Sequence, residues 1–231
     1  MTSPFIRELP QLLLNFFFPP RCLGCGAGGS FLCSACVASL PMVPSPMCTR
    51  CGKPGVNKGY CCQDWWALDG LRSPFLMEGL ARNAIHHLKY RNLSVLAAPL
   101  AHLMACYLEA HPLFGEILVP VPLHPQRLRD RGYNQSALLA RELGKFTGLP
   151  VEEHVLSRQR NSPAQAKALS VEERRQNVIG SFLCLSRRLD GSNVLLIDDV
   201  CTTGATLNAC AAALKEAGAA SVWGLTVTRE I

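Results

Sequence analysis

Two adjacent carboxylates and a small hydroxylated turn stand together near the carboxyl end of this 231-residue chain. Residues 194–207 read Val-Leu-Leu-Ile-Asp-Asp-Val-Cys-Thr-Thr-Gly-Ala-Thr-Leu. The pattern predicts a buried strand over 194–197, the acids Asp198 and Asp199 where that strand ends, and a helix over about 205–217. The N–H groups and dipole of a helix start favour a phosphate, whereas paired carboxylates accept hydrogen bonds from a vicinal diol or lie near a divalent cation. The stretch therefore predicts a site for a ribose phosphate.

The turn itself supplies hydroxyl donors and open space to that predicted site. Three threonines offer hydroxyl groups, and Gly204 leaves the approach path free of a Cβ atom. Cys201 is expected to fill space as a neutral side chain rather than to react as a thiolate. An ordinary polar strand-to-helix turn is the alternative interpretation. The residues predicted to bind the ligand are Asp198, Asp199, Val200, Cys201, Thr202, Thr203, Gly204, Ala205 and Thr206.

Eight of the twelve cysteines fall between positions 22 and 62, and six of these eight form three C-x-x-C pairs. The chain shows no export signal, so we expect the protein in the cytoplasm. There, paired C-x-x-C turns, called knuckles below, bind one or two structural zinc ions rather than forming disulfides. Asp64 stands where a fourth pair would place its second thiol, so the second site is completed by Cys62, is completed by Asp64, or is degenerate. Pairs shared crosswise between the two metals remain an alternative. The predicted zinc ligands are Cys22, Cys25, Cys33, Cys36, Cys48, Cys51, Cys61 and Cys62.

Composition limits the class of protein further. Apolar residues make up 48% of the chain, enough for a sizeable core, and the formal net charge is +6. Residues 121–190 hold 12 Lys and Arg against 7 Asp and Glu, so the positive excess lies in one part of the chain. This charge suits anionic ligands but is too small to establish nucleic-acid binding. The apolar run 12–18 is too short to cross a bilayer and is expected to form an N-terminal helix packed on the body.

Beyond residue 68 the apolar pattern alternates between strands and helices, which predicts an α/β fold with a parallel sheet flanked by helices. Cys106, Cys184 and Cys210 fall in predicted apolar elements and are expected in the core. The polar stretch 157–177 is expected to form a long loop and a short helix that cover the site as a lid. Predicted strands cover 117–121, 151–156, 182–185 and 222–227, and predicted helices cover 79–91, 94–110 and 134–147.

The stretch 194–207 resembles the phosphoribosyl-diphosphate (PRPP) loop of type I phosphoribosyltransferases, in which paired acids bind ribose hydroxyls and the turn wraps the 5′-phosphate. Taken in order, the cysteine knuckles, the motif of residues 84–90, the Val-Pro-Val-Pro run at 119–122 and the PRPP-type loop resemble the ComF family. The resemblance implies a phosphoribosyltransferase-like domain over 68–231, a double zinc ribbon over 21–67 and an apolar helix over 1–20. For some members it also implies a role in DNA uptake during natural transformation.

The resemblance assigns roles to residues of this chain. Asp198 and Asp199 become the catalytic pair that holds the ribose hydroxyls, and Mg²⁺ bridges the pyrophosphate and the ribose. Two classes of function stay open. The first is an enzyme that transfers phosphoribosyl to an acceptor, and the second is a module that binds PRPP or single-stranded DNA without turnover. Proteins of the competence machinery are further candidate partners. The residues expected to contact pyrophosphate or another anion are Lys89, Pro122, His124, Arg127, Arg131 and Arg160.

Overall fold

The computed structural model describes residues 19–48, 50–56, 61, 67–159, 180–186 and 188–231. Within this part of the chain, no helix is long and apolar enough to span a membrane. The elements, in chain order, are α1 (Ser34–Ala38), β1 (Gly70–Arg72), β2 (Phe75–Leu76), α2 (Gly79–Tyr90), a 3₁₀ turn (Ser94–Leu96), α3 (Ala97–Ala110), β3 (Ile117–Pro120), α4 (Pro125–Arg131), α5 (Gln135–Thr147), β4 (Leu156–Arg158), β5 (Phe182–Cys184), β6 (Asn193–Cys201), α6 (Ala205–Glu216) and β7 (Ser221–Arg229).

The central sheet has five parallel strands in the order β1–β7–β6–β3, with β2 also paired to β7. All the strands run the same way, so their carboxyl ends share one edge of the sheet. In type and order these elements confirm the predicted α/β class. The register pairs Ile117 with Val194 between β3 and β6, and Asn193 with Ser221 between β6 and β7.

Strand β6 is apolar on both faces because both faces of the sheet are covered. Val194 and Leu196 belong to a hydrophobic cluster that includes α6, and Leu195 and Ile197 belong to a second cluster with α2, α3 and α5. These four side chains are at most 1% exposed. The core therefore fixes β6 from both sides and with it the position of the acids that follow.

Irregular segments of chain run along both outer strands of the sheet. On the β1 side, the N–H of Leu71 donates to the carbonyl of Arg50 at 2.7 Å. On the β3 side, the N–H of Leu118 donates to Pro150 and its carbonyl accepts from Glu152, each at 2.9 Å. Backbone groups of both outer strands are thus paired with non-strand chain.

Several element predictions need correction. A bend at residues 153–155 divides the predicted strand 151–156, so that only Val151 bridges to the sheet and β4 begins at Leu156. Strand β4 pairs with β5 in an antiparallel hairpin separate from the parallel sheet. The predicted helix 94–110 opens as a 3₁₀ turn, and α4 was not predicted at all. Cys210 is buried as expected, but Cys106 is exposed, because it lies on the outer side of α3.

Two predicted segments lie largely outside the described residues. These are the N-terminal apolar helix, of which residues 19–20 are described, and the lid, of which residues 157–159 are described. Both stay predictions, as does the boundary near residue 68.

Candidate functional site

The two acids lie inside the last part of β6 rather than after it. The predicted strand ended at Ile197, but the ladder to β7 continues through Asp198, paired with Thr226, to Cys201, paired with Arg229. The extension follows from β7, which is long enough to supply partners as far as Arg229. The acids are therefore held by a regular strand at the carboxyl edge of the sheet, where open α/β sheets bind their ligands.

Asp198 is partly exposed and has two hydrogen-bond donors at one oxygen. Its Oδ1 accepts from the hydroxyl of Ser136 at 2.7 Å and from the backbone N–H of Asp199 at 2.9 Å. Removal from water and the neighbouring charge of Asp199 raise the pKa of Asp198 to about 7, against the opposing effects of Lys89 and Ser136. The carboxyl group therefore changes charge close to neutral pH.

Ser136 contacts Asp198 but was not predicted from the sequence. It lies in the first turn of α5, whose N-cap is Asn134; the Asn134 side chain accepts from the N–H of Ser136 at 3.1 Å and donates to the carbonyl of Val121 at 3.0 Å. The signal that could have identified Ser136 is a hydroxyl group two residues after a helix cap. The helix follows β3, and because β3 and β6 are adjacent strands, its start can lie near the end of β6.

Asp199 is 2% exposed and forms an ion pair with Lys89, with 2.8 Å between Nζ and Oδ1. Burial alone would lower the pKa of Lys89, but the adjacent Asp199 raises it above its ordinary value. The other oxygen of Asp199, Oδ2, is buried and has no hydrogen-bond partner among the described residues. In this structure the ammonium group of Lys89, which was predicted to contact a phosphate, thus neutralises the carboxylate of Asp199.

The turn after β6 joins this strand to α6 through a glycine. Gly204 caps α6 with φ of 78°, in the left-handed region that favours glycine. The hydroxyl of Thr203 accepts from the N–H of Ala205 at 3.4 Å, and Thr202 is exposed. The start of α6 leaves first-turn N–H groups without helical acceptors. Cys201 is 1% exposed and burial raises the pKa of its thiol to about 12, which agrees with a space-filling role.

Three of the predicted anion-binding side chains line one cavity of about 540 Å³ between the end of α2 and α4. Lys89, Arg127 and Arg131 contribute positive charge there, against one carboxylate from Asp130. The guanidinium of Arg131 lies 5.4 Å from the centre of the Tyr90 ring. Because Lys89 also contacts Asp199, this cationic cavity adjoins the acidic pair.

The remaining predicted anion contacts do not join that group. Pro122 lines a different cavity, of about 450 Å³, together with Arg158 and Glu153. The ring of His124 caps α4 by accepting from the N–H of Gln126 at 3.2 Å, so this side chain already has a structural role. Arg160 lies outside the described residues.

The first thiol cluster gathers Cys22, Cys25, Cys33 and Cys36, whose sulfur atoms all lie within 4.8 Å of one another. The sulfurs of Cys25 and Cys33 are 3.7 Å apart. A tetrahedral zinc ion with Zn–S bonds of about 2.3 Å separates its sulfurs by about 3.8 Å, whereas a disulfide needs about 2.05 Å. Backbone N–H groups, led by that of Cys33, lower the pKa of Cys22 to about 6. The geometry fits zinc.

The second thiol cluster gathers Cys48, Cys51 and Cys61, with 3.6 Å between the sulfurs of Cys51 and Cys61. Burial alone would raise the pKa of Cys48, but N–H groups led by those of Cys51 and Cys61 together lower it to about 6. This spacing also fits zinc. Cys62 and Asp64, the two candidates for a fourth ligand, lie outside the described residues. Pairs are not shared crosswise among the described cysteines, because each cluster is built from consecutive cysteines.

Two segments of the chain match models of known domain families. Residues 13–64 match the profile of a double zinc ribbon domain, and residues 130–228 match that of a phosphoribosyl transferase domain. The chain is 30% identical to Competence protein ComFC of Bacillus subtilis over 86% of its own length and 84% of that protein. It is also 30% identical to Competence protein F of Haemophilus influenzae over 90% of its length and 97% of that protein.

Among solved structures, the chain is similar to the glutamine PRPP amidotransferase from B. subtilis complexed with ADP and GMP. The match has a TM-score of 0.39 and 21% identity, and it covers 56% of this chain and 26% of that one.

Proposed function

The chain belongs to the ComF family of competence proteins, and we propose that it binds PRPP together with Mg²⁺ at the carboxyl edge of its sheet. One observation carries the proposal. The partly exposed carboxyl group of Asp198 lies three residues before a glycine-capped turn with an exposed threonine, so groups suited to ribose hydroxyls and to a phosphate follow one another along the chain.

Each part of PRPP has complementary groups nearby. The ribose hydroxyls donate to the carboxylate of Asp198, whose orientation is fixed by Ser136. The 5′-phosphate is held by hydroxyl and N–H groups of residues 201–206 at the start of α6. The diphosphate extends toward the cavity that contains Lys89, Arg127 and Arg131. The ligand would thus run from the turn across the acids to the cations.

The acids fit a nearby divalent cation. Asp199 retains a buried oxygen without a partner among the described residues, and the pKa of Asp198 is raised by burial and by the neighbouring charge of Asp199. Added positive charge relieves both features. When bound with PRPP, Mg²⁺ would neutralise the diphosphate and favour its departure as pyrophosphate. The fixed cations of the cavity would stabilise the same negative charge.

The binding proposal is tested by titrating the protein with PRPP in the presence of Mg²⁺ by calorimetry. We expect saturable binding, weakened at least about tenfold by Asp198→Asn, since a charge-assisted hydrogen bond contributes about 1.5–3 kcal/mol. Lack of PRPP binding by the folded wild-type protein would refute the proposal. Transfer is measured separately, as pyrophosphate released from bound PRPP over a panel of nucleobases and other acceptors.

A second candidate function is binding of single-stranded DNA, and the exposed ring of Tyr90 favours it. This ring is 67% exposed, lies 5.0 Å from the ring of His86, and has the guanidinium of Arg131 over it. An exposed aromatic ring beside cations can stack on a base while phosphates are neutralised. Involvement in DNA uptake, which the names of the relatives suggest, would be consistent with such binding.

DNA binding through these cations should weaken steeply with salt, and Arg127→Ala and Arg131→Ala should each reduce the salt dependence. Fluorescence anisotropy with a labelled oligonucleotide measures both effects. Equal affinity at low and high salt would eliminate this electrostatic mode of binding.

A further inference from the structure

We infer that Arg229 couples the second thiol cluster to the ribose-phosphate turn, so that zinc bound by Cys48, Cys51 and Cys61 strengthens binding of a sugar phosphate. The inference rests on the proposed function, because it concerns the same turn. Arg229 acts here as a positioning residue, since it contacts the knuckle and the end of β6 rather than the ligand.

The first link joins Arg229 to the knuckle formed by Cys48 and Cys51. Arg229 is the last residue of β7 and is 4% exposed. Its Nη1 donates to the carbonyl of Cys51 at 2.6 Å, a charge-assisted bond between the sheet and a residue of the thiol cluster. Its Nε is buried without a hydrogen-bond partner among the described residues. Because a buried guanidinium is costly unless its N–H groups are hydrogen-bonded, the bond to Cys51 helps to fix the position of this side chain.

The second link joins Arg229 to the turn. Arg229 is the ladder partner of Cys201, the first residue of the turn, and the next N–H along the chain, that of Glu230, donates to the carbonyl of Cys201 at 2.8 Å. Cys201 also shares a hydrophobic cluster with Cys48 and Cys51. A continuous path of hydrogen bonds and packed side chains therefore leads from the second thiol cluster to the residue that precedes Thr202.

The knuckle is pressed closely against the sheet. Gly52 has φ of +68°, and a Cβ atom added there would lie 2.7 Å from the carbonyl oxygen of Leu71 and 3.4 Å from Nη1 of Arg229. The carbonyl of Arg50 holds the N–H of Leu71 at 2.7 Å. With so little free space, a knuckle that relaxes after losing its metal must displace Arg229 or break its bond to Cys51.

The first thiol cluster provides an internal control, because it packs elsewhere. Its neighbours Leu23, Phe31 and Val37 lie against the other hydrophobic cluster, with α2 and α3. Cys25 of the first cluster and Cys61 of the second are both exposed, so replacing either one removes a single accessible thiol. Only replacement of Cys61 should affect the turn through Arg229.

Coupling of this kind is reciprocal: if zinc tightens the sugar phosphate, the sugar phosphate tightens zinc by the same factor. We expect a factor of about ten, within the usual range of couplings between sites. The effect on zinc should be confined to the second cluster, whereas a general stabilisation of the protein would tighten both clusters.

The test uses the zinc-loaded full-length protein with ribose 5-phosphate, a probe that fills the turn but carries no diphosphate to chelate zinc. Calorimetry should show about tenfold weaker binding for Cys61→Ser, and a change of less than about twofold for Cys25→Ser. Arg229→Met should weaken binding like Cys61→Ser, and combining the two should weaken it no further, because both interrupt one path. Arg229→Lys, which keeps a donor for Cys51, should restore part of the affinity.

Release of zinc to a coloured chelator supplies a second readout that does not depend on those cysteine variants folding. In the wild-type protein, ribose 5-phosphate should slow one of two release phases, and in Arg229→Met it should slow neither. Equal effects of Cys25→Ser and Cys61→Ser, additive effects of Cys61→Ser and Arg229→Met, or equal slowing of both release phases would overturn the inference while leaving the proposed function intact. A wild-type protein that binds neither PRPP nor ribose 5-phosphate would overturn both.

Discussion

Asp198 is an acid whose ionisation falls in the range where the protein is expected to work. Its folded-state pKa of about 7 lies above the ordinary value of 3.8 because burial and Asp199 disfavour its charge. The folded protein therefore holds an extra proton between these two values, so this group's contribution to the free energy of unfolding decreases as pH rises across that interval. A cation or a set of hydroxyl donors bound at Asp198 instead favours its ionised form.

The first prediction concerns the pH dependence of PRPP binding. Ribose hydroxyls donate to a carboxylate but not to both oxygens of a protonated acid, so affinity should rise from about pH 6 to about pH 8 and then level off. Asp198→Asn should remove this dependence as well as weakening binding. Calorimetry at several pH values measures it, and a wild-type affinity that falls over the same interval would contradict it.

The second prediction concerns the ion pair between Lys89 and Asp199. Lys89→Met leaves a buried carboxylate unpaired and should lower the free energy of unfolding by about 3 kcal/mol. Adding Asp199→Asn removes that charge and should recover much of the loss. Urea denaturation of the two single variants and the double variant gives the coupling energy, and strictly additive losses would show that the pair contributes nothing.

At the scale of elements, the unit formed by β6, the turn and α6 sets the position of the ligand groups. Gly204 allows the chain to leave the strand and enter the helix within a left-handed residue. The third prediction is that Gly204→Ala costs about 1–2 kcal/mol of stability and also weakens binding of PRPP, since Gly204 lies in the turn proposed to hold the 5′-phosphate. The loss of stability is read from denaturation, and the loss of affinity from calorimetry.

Gly191 provides a matched control for that substitution. Its φ is +70° and a Cβ atom there meets nothing within 4 Å, so Gly191→Ala pays a similar backbone cost. It lies just before β6, at the opposite end of that strand from the turn. The Gly191→Ala variant should therefore lose stability and keep its affinity for PRPP. An equal loss of affinity in both variants would argue against a local role for Gly204.

The same unit also shows how far the sequence leads. An apolar run, two acids and a glycine turn are local signals, so β6, the turn and α6 could be predicted apart from the extension of β6 to Cys201. The partners of the acids could not be predicted, because Lys89 lies 110 residues from Asp199 along the chain and Ser136 lies 62 residues from Asp198. Similarly, the cap that His124 gives to α4 depends on a side-chain orientation, and the hairpin of β4 with β5 depends on long-range pairing.

At the scale of the whole molecule, the chain joins a sheet with a large hydrophobic core to a cysteine-rich segment whose described residues include few large buried side chains. The fourth prediction is that purified protein contains two zinc ions per chain and that removing them lowers Tm. Zinc displaces protons from thiols, so acid should release it progressively. Metal analysis and thermal unfolding with and without a chelator measure this, and a metal-free protein with unchanged Tm would refute it.

The backbone contact between Arg50 and Leu71 has a consequence for solubility. An outer strand with open N–H and C=O groups can recruit a strand from another molecule, and here the chain beside the second thiol cluster shields one such strand. Chelators would then do more than strip metal during purification, because they would expose β1 to edge-to-edge association. Zinc at that cluster would serve in part to keep concentrated protein from aggregating.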